Sequence, residues 1–342
     1  MAAGERTLIL AEGFSADPHY GKTMRGVMRY RRDDVVAVLD STRAGGTDAG
    51  VPVVGDVQGA LAFGPEVAIV GVATQGGRFP PEWRDILRAC IAKGLSIENG
   101  LHEMLADDSE LRPLADAAGV ELRDLRRPPE GLDCATGANL DVDSRIVLTV
   151  ASDCAVGKMT VSLELDRAAR ERGLASLFVP TGQTGIAIAG WGIAVDAVVA
   201  DFISGAAEQL VIEGHRRGGE LLWVEGQGSL VHPAYSGVTL GLYHGSVPHV
   251  LVLCHRAGST EIEGSPGHPI PPLRELVELH ERMALPRRPA RVAALALNTA
   301  GLDEREAREV VAAASDETGL PAADPVREGA DALLDAVLAG LP

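Results

Sequence analysis

The sequence predicts an α/β fold in two domains, each a parallel sheet covered by helices. Three observations predict it. Short runs of Val, Ile and Leu alternate with helical patterns through almost the whole chain, the signature of strand–helix–strand units. At 342 residues the chain is long for one core, and it is broken at 126–144 by a stretch rich in Pro, Gly and Asp that has no periodicity. The run that follows the break, RIVLTV, reads as a buried strand leading through a turn into a helix. Hydrophobic residues make up 46% of the chain and aromatics 4%, so both cores must be aliphatic.

In the first domain, 1–125, strands are expected at 7–10, 35–39, 67–72 and 95–97, with helices at 22–31, 80–93 and 107–118. Pro80 and Pro81 suit a helix's first turn, where no amide is needed, and Gly94 suits its end. The break 126–144 is read as the linker. In the second domain, 145–342, strands are expected at 145–150, 176–179, 197–199, 221–224, 250–253 and 292–297. Helices are expected at 158–172, 205–217, 272–282, 304–318 and 330–338. The glycine-rich segment after the strand at 221–224 reads as one loop of more than twenty residues, a length that points to function. No internal repeat or heptad is present.

The charge balance is 31 Lys and Arg against 48 Asp and Glu, a net −17. A nucleic-acid partner is excluded by that balance, although small anions can bind where amides and single cations converge. The four cysteines form no CxxC pair, and the histidines show no HxxxH or HExxH spacing, so no metal site is expected. No apolar run is long enough for a membrane span or a secretory signal, so a cytoplasmic protein is expected.

The stretch TVASDCAVGKMT carries the strongest chemical signal. A strand, a glycine-containing turn and a helix N-terminus together present inward-facing amides to an anion, and a lysine adds a point charge. Asp153, Cys154, Ala155, Val156, Gly157, Lys158, Met159 and Thr160 make up this loop. Gly157 permits close approach, Lys158 contacts phosphate, and Thr160 reaches a metal or another oxygen. Two departures separate it from the usual nucleotide loop: Ser152 replaces the leading glycine, and Met159 takes the hydroxyl position. Cys154 invites a nucleophile reading, but no histidine neighbours it in sequence. A second Gly-Lys-Thr, Gly21 to Thr23, is set aside because Pro18 removes an amide from its turn.

Ligands of open parallel sheets sit beyond the carboxyl ends of strands, so polar residues there are the site candidates. Gly182, Gln183 and Thr184 follow the strand at 176–179, and Asp201 follows the expected strand at 197–199. Glu225, Gln227 and Ser229 follow the strand at 221–224, and the long loop adds His232, Tyr235 and His244. Arg256 lies beyond the strand at 250–253 as a carboxylate or phosphate clamp, and Asn298 stands where several P-loop enzymes read an adenine edge.

The segments SDCAVGK, PTGQTG, DFISGAAE, VEGQGSLVHPAYSGVTLGLYHGSVPH and LCHRAG, with VGVATQGGRFPPEWRDIL and GLSIENGLHEML in the first domain, together closely resemble the DUF1611 family over residues 5–335. That resemblance implies an N-terminal Rossmann-like domain and a C-terminal P-loop NTPase-like domain. It also implies an amino-acid N-acetyltransferase that moves the acetyl group of acetyl-CoA to an acidic amino acid, D-glutamate. Carried over by motif, the loop 153–160 would hold the donor's phosphates, while Gly182, Gln183, Thr184 and 225–229 would line the reaction zone. Glu225, His232 and His244 are the candidate bases, in that order. Ala151 and Ser152 stand where the family more often has Gly-Thr, and alanine disfavours positive φ, so a reshaped cradle is expected. The alternative is an ATP-dependent kinase or ligase acting on a small carboxylate with Mg-ATP, since loop, Asp201, Glu225 and Asn298 are compatible with it. A coenzyme-sensing protein without catalysis is the third reading. Two-domain α/β enzymes of this kind are often oligomers, so a homo-oligomer is expected.

Overall fold

The computed structural model describes residues 4–17 and 20–342; Pro18 lies outside them. The chain divides into two compact units, 1–127 with 183–194, and 128–182 with 195–342.

The first unit contains β1 (Thr7–Leu10), α1 (Lys22–Tyr30), β2 (Val35–Leu39), β3 (Thr47–Asp48), β4 (Val51–Val54), α2 (Val57–Ala60), β5 (Val67–Val70), α3 (Trp83–Ala92), β6 (Ser96–Asn99), α4 (Leu111–Ala118) and β7 (Leu122–Asp124). Its sheet runs β3-β4-β2-β1-β5-β6-β7, parallel except for the β3–β4 hairpin. Without that hairpin strand the order is that of a dinucleotide-binding sheet. The core is aliphatic as predicted: Leu8, Ile9, Leu10, Val38, Leu39, Ile69 and Ile97 are all but fully buried. The hairpin and β7 were not foreseen, because two- to four-residue strands carry too little periodicity to be read.

In dinucleotide-binding sheets the acid after the second strand binds a ribose. Here that position is Asp40, and the loops after β1 and β2 fill it: Oδ1 accepts from Gly13 N (3.2 Å), Thr42 N (3.1 Å) and Thr42 Oγ1 (2.6 Å), and Oδ2 from Ser15 N (3.1 Å). Burial works against its charge, and the hydrogen bonds from Ser15, Thr42 and Gly13 overcome it and hold the carboxyl below its ordinary range. Thr23 of the set-aside Gly-Lys-Thr is buried inside this unit rather than facing an anion.

The second unit contains β8 (Arg145–Ala151), α5 (Lys158–Glu171), β9 (Ser176–Val179), α7 (Ile203–Arg216), β10 (Leu221–Val224), α8 (Ser236–Ser246), β11 (Val250–Arg256), α9 (Leu273–Arg282), β12 (Arg291–Asn298), α10 (Glu304–Thr318), β13 (Ala322–Ala323) and α11 (Asp331–Gly340). The helix α6 (Gln183–Ala189), which follows β9 in the chain, belongs to the first unit. The six strands are parallel in the order β13-β12-β11-β8-β10-β9. Successive strands after β8 are laid first on one side of it and then on the other, so the strand order reverses at β8. That is where an open sheet opens a ligand crevice.

Three features of this unit differ from the sequence reading. The strand expected at 197–199 is absent: the segment forms short 3-10 turns at Val195–Ala197 and Ala200–Phe202, and Val199 is 66% exposed with no sheet to enter. The long loop after β10 contains α8, read as loop because three interior glycines lower helix propensity. Two of those glycines serve packing instead. A Cβ at Gly245 would stand 2.1 Å from the carbonyl oxygen of Ser204 on α7, and one at Gly241 2.7 Å from Ile203 Cγ2. The segment read as linker is ordered from Pro128 onward against the second unit. The Glu208 carboxylate on α7 gathers the amides of Thr136 (3.0 Å), Gly137 and Ala138 (3.0 Å), and Asn139 Nδ2 donates to Gly245 O at 2.8 Å.

Candidate active site

At the middle of the second sheet, β8 ends at Ala151 and the chain turns through Ser152–Gly157 into α5. The turn needs positive φ at two places, Ala155 (+53°) and Gly157 (+118°). Glycine adopts this freely, whereas an alanine there costs about 1 kcal/mol. The expected strain at Ala151 is therefore displaced. Ala151 remains in extended pairing opposite Cys254, and Ala155 is the residue held in the left-handed region.

Lys158 opens α5, and its Nζ folds back to donate to Asp153 O at 2.9 Å. Burial lowers its pKa, opposed by the negative potential of Cys154, Cys254, Asp153 and Glu225 in falling order. Asp153 shapes the turn: Oδ1 accepts from Cys154 N (2.6 Å) and Oδ2 from Glu263 N (2.8 Å). Asn298 braces the loop rather than reading a base. Its Nδ2 donates to Val156 O (3.2 Å) and its Oδ1 accepts from Ala300 N (3.1 Å), so its amide is spent on the protein's own backbone. Ser229 Oγ donates to Ser152 O at 3.0 Å, and Ser152 Oγ shares a 2.8 Å hydrogen bond with His255 Nδ1. His255 was not foreseen as a loop support. Burial lowers its pKa and favours the neutral ring, against the pull of Glu317. The first amides of α5 have no intrahelical acceptor, and with Lys158 they form an electropositive cradle. Met159 and Thr160 lie half-buried in that first turn.

Glu225 follows β10 and is 5% exposed. Its Oε2 accepts from Thr181 N (3.0 Å) and Gly182 N (3.2 Å), and Thr181 Oγ1 donates to the Glu225 carbonyl (2.6 Å). Burial pushes its pKa up to about 7; the two amides and Lys158 pull down, and Asp196 pushes up. The result is a carboxyl that gains and loses a proton near neutral pH. Gly226 explains how it comes so close to the loop. A Cβ there would stand 1.8 Å from Thr149 O and 2.9 Å from Lys158 Cδ, so only glycine lets this segment lie across β8. Gln227 Nε2 donates to Thr181 Oγ1 (3.1 Å), and its carbonyl accepts from Thr239 Oγ1 (2.7 Å), anchoring the segment to α8.

His232 joins this group from the turn before α8. It is buried, its Nδ1 accepts from Ala234 N at 3.1 Å, and its ring centroid lies 4.6 Å from that of the half-exposed Tyr235. The Cys154 thiol, a His232 ring nitrogen and an Asp153 carboxylate oxygen lie within 4.8 Å of one another. No local pattern announces this trio, because His232 arrives from the far side of β10.

Other candidates are placed elsewhere. The His244 Nε2 donates to Met283 O at 2.8 Å, which ties α8 to the end of α9. Gln183 and Thr184 lie on α6 in the first unit, where Thr184 Oγ1 meets Thr23 Oγ1 at 2.9 Å and Arg31 Nη1 donates to Ala187 O at 2.7 Å. From PTGQTG, the Gly182 amide and its neighbour Thr181 reach Glu225. Asp201 lies exposed in the turn before α7; the acid felt by Glu225 is Asp196, the residue before the expected strand at 197–199. Arg256 stands exposed at the carboxyl end of β11 and makes no ion pair among the described residues.

Family models match both halves of the chain. The Rossmann-like domain of unknown function DUF1611_N matches residues 39–128, and the P-loop domain of unknown function DUF1611_C matches 133–334. A curated D-glutamate N-acetyltransferase of Tritonibacter scottomollicae is 36% identical over 340 residues, covering 98% of this chain and 99% of that one. A second, from Pseudoalteromonas sp, is 37% identical over 276 residues, 80% of this chain and 82% of its own. The crystal structure of a DUF1611 family protein from Anabaena variabilis ATCC 29413 superposes with a TM-score of 0.92 at 43% identity, covering 98% and 99% of the two chains. With both domain models matched and near-full-length relatives of the same architecture, this chain belongs to the DUF1611 family.

Proposed function

We propose that this protein transfers the acetyl group of acetyl-CoA to the amine of an acidic amino acid, with D-glutamate as the acceptor. The relatives named D-glutamate N-acetyltransferase support the substrates. Within the chain, the observation that carries the reading is the pairing of Glu225, titrating near 7, with the cradle of Lys158 and the α5 amides.

Acyl transfer to an amine needs two things: removal of an ammonium proton, and stabilisation of negative charge on the thioester oxygen. Glu225 accepts the proton, and the cradle receives the oxyanion. Ser229, Asn298 and His255 keep the loop in shape, while Gly182 and Gln227 hold Glu225 and Thr181 in register. Arg256, with Tyr235 beside it in role, supplies a surface for the acceptor's carboxylates.

Coenzyme A separates its pyrophosphate from its thioester by the whole pantetheine arm. A loop holding the pyrophosphate would keep the acetyl group an arm's length from Glu225. The base role of Glu225 therefore brings the thioester end, rather than the phosphates, to 153–160. The reading includes a cytoplasmic homo-oligomer, which light scattering on the purified chain checks for assembly.

Purified protein mixed with acetyl-CoA and D-glutamate should release thiol, with a rate that rises with pH through about 7 as Glu225 loses its proton. Absence of thiol release across acidic D- and L-amino acids, or magnesium-dependent ADP formation from ATP in its place, would overturn the reading.

A further inference from the structure

We infer that Cys154 carries the acetyl group between donor and acceptor as an enzyme thioester. The inference rests on the acetyl-transfer reading above and adds a covalent step to it. Cys154 is half-buried and reachable, in contrast to Cys90 and Cys254, which are fully enclosed and whose thiols burial pushes up to about 12. Its sulfur shares a space of 4.8 Å with a His232 ring nitrogen and an Asp153 carboxylate oxygen. It sits in the turn that leads into the N-terminus of α5, where partial positive charge favours the thiolate. The residue after it, Ala155, is held at φ +53°, a strain that persists only where the surroundings impose it and that gathers at functional turns.

The step balances without an external oxidant or reductant. The Cys154 thiolate attacks the acetyl carbonyl carbon, forming a carbon–sulfur bond to Cys154 while the bond to the coenzyme sulfur breaks. The coenzyme leaves as a thiolate with the electron pair and takes its proton from solvent. The Nδ1 of His232 accepts the Ala234 amide, which places the proton of the neutral ring on Nε2, where it can donate to sulfur. The acceptor amine then attacks the Cys154 thioester, a carbon–nitrogen bond forms, and the electron pair returns to the Cys154 sulfur. Glu225 takes the amine's proton and passes it to solvent, which balances the proton the coenzyme took up. A thioester is exchanged for a thioester, so the first step is close to thermoneutral and reversible.

The experiment uses the whole chain and acetyl-CoA with no acceptor. Intact-mass measurement should show one added acetyl group, mapped to the peptide holding Cys154, and isotopically labelled coenzyme A should exchange into acetyl-CoA. Cys154→Ser and Cys154→Ala should lose both signals, with acetylation of D-glutamate falling about 100-fold or more. Exchange by the wild type does not depend on how well a variant folds, so it decides alone. If D-glutamate drives thiol release while no exchange and no acetyl-enzyme are seen, transfer is direct and this inference falls while the proposed function stands. Activity lost on chelation and restored by zinc, with no acetyl-enzyme, would also overturn it. If no acidic amino acid drives thiol release, the proposed function falls, and the inference with it.

Discussion

A carboxyl at 5% exposure is an unusual place for a charge, and Glu225 illustrates what such a position costs. Its folded pKa of about 7 lies above the ordinary 4.5, so its contribution to stability is fully present below pH 4.5 and is lost as pH rises through 7. At pH 8 the buried anion costs about 3 kcal/mol relative to an exposed one. Replacing Glu225 with Gln keeps the acceptor for Thr181 and Gly182 and removes the charge. The variant should melt higher than wild type at pH 8, with the difference shrinking at pH 5, while acetyl transfer falls by about 100-fold or more. A lower melting temperature than wild type at pH 8 would count against the buried-base assignment. Gly226 beside it leaves no room for any side chain: Gly226→Ala drives a methyl into the Thr149 carbonyl at 1.8 Å. That variant should lose activity even where circular dichroism shows the fold retained, because the segment carrying Glu225 must lift off β8.

At the scale of elements, the α7–α8 pair shows why a helix can be invisible in sequence. SGVTLGLYHGS has poor helix propensity, and its glycines read as loop. They are where α8 meets α7, at Gly241 against Ile203 and Gly245 against Ser204, and Gly205 on α7 leaves the same room for Asp133 O at 1.8 Å. Gly245→Ala should destabilise the protein by roughly 1–3 kcal/mol or more, read as a lower urea midpoint. Gly237, in the first turn of α8, faces open space, so Gly237→Ala should raise stability by up to about 1 kcal/mol. Opposite signs for two glycine-to-alanine changes in one helix separate packing from propensity. Other elements were legible: β1, β2, β8, β9, β10, α5 and α10 lie within a residue of where periodicity and caps put them, because each is a buried aliphatic run or a capped amphipathic helix.

Across the whole molecule, mild acid acts through buried histidines of the second unit. His280 is fully buried on α9, shares a hydrogen bond with Leu276 O at 2.7 Å, and burial lowers its pKa to about 4. His249 is likewise lowered to about 4 by burial, then by Arg288 and Arg145. A histidine depressed in the folded state leaves stability intact above 6.5 and withdraws it as pH falls from 6.5 through 4, since the unfolded chain binds the proton first. For His280 this amounts to roughly 3 kcal/mol once pH is below 4. The urea midpoint should decline over that window, and His280→Leu should flatten the decline. An unchanged slope in that variant would place the acid sensitivity elsewhere. No described helix is long and apolar enough to cross a membrane.

Local sequence determined the aliphatic cores, the alternation of strand and helix, the phosphate-type turn after β8 and the presence of Glu225 at a strand end. These follow from periodicity and from steric demands carried by a few adjacent residues. The tertiary structure alone decided that Glu225 is desolvated so that its carboxyl titrates near neutral pH, that Asp196 rather than Asp201 is the acid it feels, and that Asn298 holds the loop. It also placed α6 in the first unit and His232 beside Cys154. Burial, charge coupling and contact across a sheet depend on which distant segments meet. TVASDCAVGKMT could therefore announce an anion cradle, while its partners were settled only when β10 and the turn before α8 folded against it.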